Sequence, residues 1–260
     1  MSKAFDFIAQ SAPIFGGIFT HSSGNFGNLE LPVKLVDGRV IAYNLRLEQV
    51  GTSITAREEV QQHLPSFCPE RHINSNGTFC LYYSEAMHLD IVDETSANAW
   101  LETVYRYLKL QERARVKRKW PNDEQWAHGE AASHQSRAEK AAAALGQHFT
   151  AALKHGHLQV NERRTKDQQL ILDLWIEDSY IFSVWVNKER VIKQKQRCFC
   201  EVAGLKMPKR LRRCADHAEL AKQLVFSLRD WKKSEELYWL ELANRPCCGT
   251  CDYCPLASAS

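Results

Sequence analysis

At 260 residues the chain is long enough for one large domain or two modest ones, and 44% hydrophobic with 25% charged residues is the balance of a protein that buries a core. A formal net charge of +3 gives no general attraction to nucleic acid, and no apolar run reaches the ~18–20 residues of a membrane span. The opening residues Met1-Ser2-Lys3-Ala4-Phe5-Asp6-Phe7 carry one base and then an acid. They lack a secretory pattern, so the expectation is a cytoplasmic protein.

Residues 5 to 12 can make one short amphipathic turn or helix. Pro13 to Gly27 is rich in Gly and Ser and reads as a loop. Leu29 to Val36 runs into Asp37-Gly38, and Val40 to Val50 then alternates apolar and polar, the pattern of two strands around a tight turn. Glu58 to Leu64 has the look of a helix stopped by Pro65.

Cys68-Pro69-Glu70 leads into Arg71-His72-Ile73-Asn74-Ser75-Asn76-Gly77-Thr78-Phe79-Cys80-Leu81. Cys80 stands at the mouth of a short apolar run, Phe79 to Tyr83, just after an Asn-Gly turn. Gly77 can take the positive φ of a tight return and so bring Asn74 close to Cys80. A thiol beside an amide donor can accept an acyl group while the donor steadies the oxyanion. A buried cysteine that starts a strand is the other reading of the same spacing. Cys68, a second thiol nearby, reads as structural.

His72-Ile73-Asn74 followed by Gly77-Thr78-Phe79-Cys80-Leu81 resembles the active-site signature of ubiquitin-conjugating (UBC) enzymes, in which His-Pro-Asn precedes the thioester-forming Cys and Gly-x-x-Cys-Leu is a common local form. Ile73 stands in place of the proline, and the gap to Cys80 is shorter than in eukaryotic members. Both departures resemble the prokaryotic branch found in bacterial antiviral conjugation operons. The resemblance implies Cys80 as the nucleophile that carries a ubiquitin-like modifier, with Asn74 as oxyanion donor and His72 as a brace of the turn. It further implies an activating enzyme and a protein target as partners. Glu85, Asp90 and Asp93 are candidates for a base, but acids ahead of a helix more often cap it.

Asp93-Glu94-Thr95-Ser96 offers helix caps, and Trp100, Val104 and Leu108 give Glu94 to Leu110 an apolar stripe. Residues 124 to 154, rich in Ala, Glu, Gln and Lys, favour helix. Strands, an active-site turn and a crossover helix follow the UBC order. The expected fold is therefore α+β: a UBC-like antiparallel sheet with a crossover helix over residues 1–155, then a small α+β cysteine-rich module over 156–260.

In that module His157 to Arg163, Gln169 to Ile176 and Tyr180 to Val186 read as strands, the last two joined as a hairpin. Ala218 to Ala243 reads as a long amphipathic helix. Seven of the nine cysteines crowd the stretch from Cys198 onward, which in a reducing compartment points to metal rather than disulfides. Cys248-x-x-Cys251-x-x-Cys254 has thiolate spacing suited to tetrahedral zinc, with Cys198, Cys200, Cys214 or His217 as further ligands, and one site could draw two ligands from each group. An iron–sulfur cluster is the alternative, since such a run closed by Cys254-Pro255 also occurs in ferredoxin-like sequences. The basic stretches Arg113 to Lys119 and Lys209 to Arg213 read as solvated faces or docking patches for an acidic protein rather than nucleic-acid surfaces.

Overall fold

A computed structural model describes residues 3–83, 89–121, 126–199, 209–214 and 216–259. They fall into two compact units, Met1–Gln125 together with Glu241–Ser260, and Trp126–Leu240. The boundary expected at 155/156 lies inside the second unit.

The first unit opens with helix α1 (Lys3–Ser11), which buries Phe5 and Ile8 and packs against a later helix, α2. Strands β1 (Ile18–His21), β2 (Phe26–Lys34), β3 (Val40–Val50) and β4 (Ser53–Glu58) form an antiparallel meander in sequence order. Alternation sets its inner face: Leu29, Leu31 and Val33 of β2 and Tyr43, Leu45 and Leu47 of β3 are buried, and their neighbours are not sealed to the same degree. The stretch read as a loop thus contains β1, whose pairing to β2 satisfies a backbone segment that the flanking Gly and Ser residues masked.

A second expectation is corrected at Glu58 to Leu64. Glu58 ends β4, and its carboxylate accepts from the backbone N–H of His63 (3.0 Å) and Leu64 (3.0 Å). Those amides would serve a helical ladder if the segment were helical. Side-chain capture of the backbone won over helix composition.

Helix α2 (Glu94–Lys117) starts on a capping box, in which Asp93 accepts from Ser96 N–H at 2.7 Å and the Ser96 hydroxyl returns to Asp93 N–H. It buries Ala97, Trp100, Leu101, Val104, Tyr107, Leu108 and Gln111, and the Trp100 indole donates to the Ile54 carbonyl of β4 at 3.1 Å. That stripe seats the helix on the sheet, and the connection between them carries the Cys80 turn.

In the second unit the expected helical stretch is two helices, α3 (Ala131–Leu145) and α4 (Gln147–Lys154), parted at Gly146 with φ of 126°. Strands β5 (Leu158–Arg164), β6 (Leu170–Ile176), β7 (Ser179–Trp185) and the short β8 (Arg190–Val191) form the second antiparallel sheet. Helix α5 (His217–Glu241) follows. Leu172, Leu174, Phe182 and Val184 from the sheet, Ala138, Ala141, Ala142 and Phe149 from α3 and α4, and Leu224 and Val225 from α5 share one core.

Candidate active-site turn and cysteine clusters

Cys68 precedes a 3-10 turn, Pro69–Arg71, after which His72 adopts left-handed backbone (φ 54°). Cys68 and Ile73 then exchange backbone hydrogen bonds at 3.2 and 3.0 Å, and Ile73 bridges to Phe79. The return is closed by Asn74 N–H to the Thr78 carbonyl (2.9 Å), Gly77 N–H to the Asn74 carbonyl (2.9 Å) and Cys80 N–H to the His72 carbonyl (2.8 Å). Gly77 sits at φ 79°, where a side chain would be strained even though an added Cβ would clear the Ser66 carbonyl at 3.7 Å.

Ile73 and Phe79 are buried against the core, whereas Asn74 and Cys80 are exposed. The Asn74 amide donates to the Thr78 hydroxyl at 3.0 Å, leaving a second amide hydrogen for another acceptor. His72 is buried, with its ring edge-on to Trp120 at 5.0 Å, and its carbonyl accepts from the Tyr107 hydroxyl at 2.9 Å. Burial pushes the Tyr107 phenol well above its usual range, with the Cys80 charge adding to it, so the hydroxyl stays a donor. Desolvation by the surrounding protein also raises the Cys80 thiol, although the residue surface is open. Beside the turn runs a groove of about 630 Å³ lined by Arg57, Glu58, Gln61, Leu64, Asn76 and Phe79 among others.

Sequence reasoning missed Arg71, which is buried with its Nε on Gln111 Oε1 (2.8 Å), Nη2 on the Gln111 carbonyl (3.1 Å) and Nη1 on the Thr250 hydroxyl (3.1 Å). No local pattern marks such an arginine, because its partners lie far along the chain. Of the candidate bases, Glu85 lies outside the described residues. Asp90 accepts from the Thr52 and Ser53 hydroxyls (3.0 and 2.9 Å), and Asp93 is held in the capping box.

The cysteines expected to bind metal divide into two groups. In the second unit Cys198 Sγ and Cys214 Sγ lie 3.1 and 3.4 Å from His217 Nδ1, with all three ligand atoms within 4.8 Å of one another. Cys214 follows the 3-10 turn Leu211–Arg213, and His217 opens α5. Two ligands on one tetrahedral zinc stand roughly 3.5 Å apart, so this Cys–Cys–His set has the chemistry and spacing of a zinc site. Cys200 lies outside the described residues.

In the first unit Cys248 Sγ lies 2.9 Å from Cys68 Sγ. Cys251 and Cys68 drive the Cys248 thiol below its usual range, while Cys68, bonded to Cys248 and Cys251 and desolvated, is held above it. Cys251 is pushed up to about 11 by its bond to Cys248. Burial, then contact with Cys247, pushes Cys254 up to about 12. The two groups therefore belong to different units, and the expectation of one site fed by both is not carried forward. Cys68, read from sequence as structural, is buried, and sequence reasoning did not find its contact with Cys248, 180 residues away.

An antiparallel sheet crossed by a helix, with a thiol on the turn between them, defines the class of ubiquitin-conjugating-like proteins. The family described as "Prokaryotic E2 domain" matches residues 15–122, and that described as "Cysteine-rich domain, C-terminal to E2 domain" matches residues 127–256. The chain belongs to the prokaryotic E2 family that carries this cysteine-rich domain. Comparison with curated proteins and with solved structures found no match. Among the described residues no helix is long and apolar enough to cross a membrane.

Proposed function

We propose that Cys80 accepts the C-terminal acyl group of a ubiquitin-like modifier from an E1-like activating enzyme and passes it to an amine of a target protein. The exposed thiol at the end of the turn, with the Asn74 amide also exposed on that turn, is the observation that carries this reading. In the first step the Cys80 sulfur attacks the incoming thioester carbonyl. A new carbon–sulfur bond forms, the bond to the activating enzyme's sulfur breaks, and that sulfur leaves with the proton Cys80 gives up. In the second step an amine nitrogen attacks, a carbon–nitrogen bond replaces the carbon–sulfur bond, and the Cys80 sulfur is released as a thiol.

The tetrahedral oxyanion of the second step needs a donor, and Asn74 is the amide at hand. His72 acts as a brace through its backbone and its packing on Trp120. The groove beside the turn suits the extended tail of the modifier, since its walls mix backbone, polar and apolar groups. Cys198, Cys214 and His217 would hold zinc, and the sequence offers Cys200, outside the described residues, as a further ligand; a histidine in the set favours zinc over an iron–sulfur cluster. Bound there, zinc ties the start of α5 to the chain after β8 and so supplies fold stability. Free thiols in number suit a reducing cytoplasm. A role in antiviral defence rests on the resemblance to operon-encoded conjugation systems.

The test incubates the chain with its activating enzyme, modifier and ATP. Wild type should give an adduct that thiol reductant removes, and Cys80→Ser should give none that reductant removes. Asn74→Ala should charge normally yet discharge to a free amine about a hundredfold more slowly. A reducible adduct on Cys80→Ser would overturn the assignment. No adduct on wild type with every component active would mean a non-conjugating scaffold.

A further inference from the structure

We propose that the groove between the β2–β3 turn and the C-terminal half of α2 is a docking site for an acidic segment of a partner protein that carries an aliphatic anchor. The groove has a volume of about 480 Å³ and lies wholly within the first unit. Leu35 and Val36 of the turn and Leu110 and Val116 of the helix give it an apolar floor. Val36 is fully exposed and Val116 mostly so, while Leu35 and Leu110 are half-buried. A single valine in water is ordinary, but four aliphatic side chains converging on one concavity have the form of a binding groove.

The charge around that floor decides the occupant. Arg106, Lys109, Arg113 and Lys117 recur at three- and four-residue spacing, so they share one face of α2 and rim the groove. Among the described residues no ion pair joins any of the four to a carboxylate. Two acids line the groove, and both are engaged elsewhere. Asp37 takes Arg39 Nε at 2.8 Å, and buried Glu112 takes the Tyr43 hydroxyl at 3.1 Å and Arg115 Nη2 at 3.0 Å. The field over the floor is therefore positive, and a carboxylate-rich segment complements it.

Nucleic acid fits the same cations less well. The described lining has no aromatic ring on which a base could stack, and a phosphate backbone would leave the aliphatic floor against water. A protein segment satisfies both features at once: its acids meet the rim, and a leucine, isoleucine or valine side chain fills the floor.

The groove is preformed. Leu35 N–H donates to the Arg39 carbonyl at 2.8 Å and Gly38 N–H to the Leu35 carbonyl at 3.1 Å, with Gly38 at φ 87°. The Tyr105 hydroxyl on α2 then accepts from Lys34 N–H at 2.9 Å. The turn is thus closed on itself and fixed to the helix that makes the opposite wall, so little order is lost on binding. Tyr107 and Gln111, which hold the active-site turn, lie on another side of α2. A segment in the groove therefore does not cover Cys80, and it can tether a partner while the thiol is in use. The inference does not rest on the acyl chemistry proposed for Cys80.

The test is fluorescence anisotropy of the full-length chain with a labelled synthetic peptide in which leucines are spaced by pairs of glutamates. The controls are the same peptide with serine for leucine, the same peptide with glutamine for glutamate, and a labelled single-stranded RNA. Wild type should bind the leucine–glutamate peptide roughly tenfold more tightly than any control, and added salt should weaken that binding. Val36→Asp, and the double variant Arg106→Glu with Arg113→Glu, should each weaken it by roughly tenfold. All three positions are exposed, so the variants keep the fold, which circular dichroism checks. Saturating peptide should leave the alkylation rate of Cys80 unchanged. No binding of the leucine–glutamate peptide, equal binding of the serine peptide, tighter binding of the RNA, undiminished affinity in both variants or protection of Cys80 by the peptide would each overturn the proposal.

Discussion

The Cys80 sulfur has two properties that pull against each other. Its exposure admits another protein's terminus, while desolvation raises its pKa and so thins the thiolate at neutral pH. The raised value has a measurable sign. Because the neutral thiol is favoured, alkylation of Cys80 by iodoacetamide should be slower at pH 7 than that of a free cysteine and should climb through a midpoint above the ordinary ~8.5. Peptide mass spectrometry across a pH series reads this directly. A midpoint below the ordinary value would mean that a positive group activates the sulfur, and the turn would need another account. A higher pKa leaves less thiolate but makes each thiolate a stronger nucleophile, so the two effects partly offset each other in the exchange. At this scale the sequence was informative about Cys80, Asn74 and Gly77, which are neighbours in the chain and whose turn chemistry is local. It was silent about the partners of Arg71 and Cys68, which lie 40 to 180 residues away in Gln111, Thr250 and Cys248.

Elements obey the same division between local and distant causes. Helix α2 was legible because its signals are near one another: an Asp93 cap, Ser96 three residues on, and an apolar stripe at helical spacing. The cap also carries a pH dependence. Ser96's backbone N–H, then its hydroxyl, hold the Asp93 carboxyl below its usual range. A carboxylate depressed in the folded state contributes stability that is complete above its unfolded pKa and is lost as pH falls through the folded value. Asp93→Ala should therefore unfold at lower urea than wild type at pH 7, and the gap should close in acid once wild-type Asp93 is protonated. An equal gap at both pH values would show that the residue acts by something other than its charge. By contrast, β1 and the segment after β4 were misread. In β1 the pairing partner on β2 decides the conformation, and after β4 the Glu58 carboxylate takes the amides that a helix would have used. The division of residues 124 to 154 into two helices was legible in hindsight at Gly146, where the backbone leaves the helical region.

For the chain as a whole, the family match and the compact units divide the sequence differently at its end. Residues 127–256 match the cysteine-rich domain, yet Glu241–Ser260 folds with the E2 sheet. The last segment thus belongs by descent to one part and by packing to the other, and its contacts include Thr250 on Arg71 and Asp252 on Arg118. Thr250 joins two parts of that segment's packing, since its hydroxyl accepts from buried Arg71 and touches Cys248 as well. Thr250→Val keeps the volume and removes the hydroxyl, so any effect comes from the lost hydrogen bonds. Leaving a buried guanidinium short of an acceptor costs roughly 1–3 kcal/mol. The loss should appear as a lower urea midpoint for the first unit. It should also appear as faster hydrogen exchange at the Cys68–Ile73 and His72–Cys80 backbone pairs, because Arg71 is the link from that loop to the turn. Faster exchange confined to residues after 246, with the turn unchanged, would mean that the segment is merely tethered there and that nothing done to the tail is felt at Cys80.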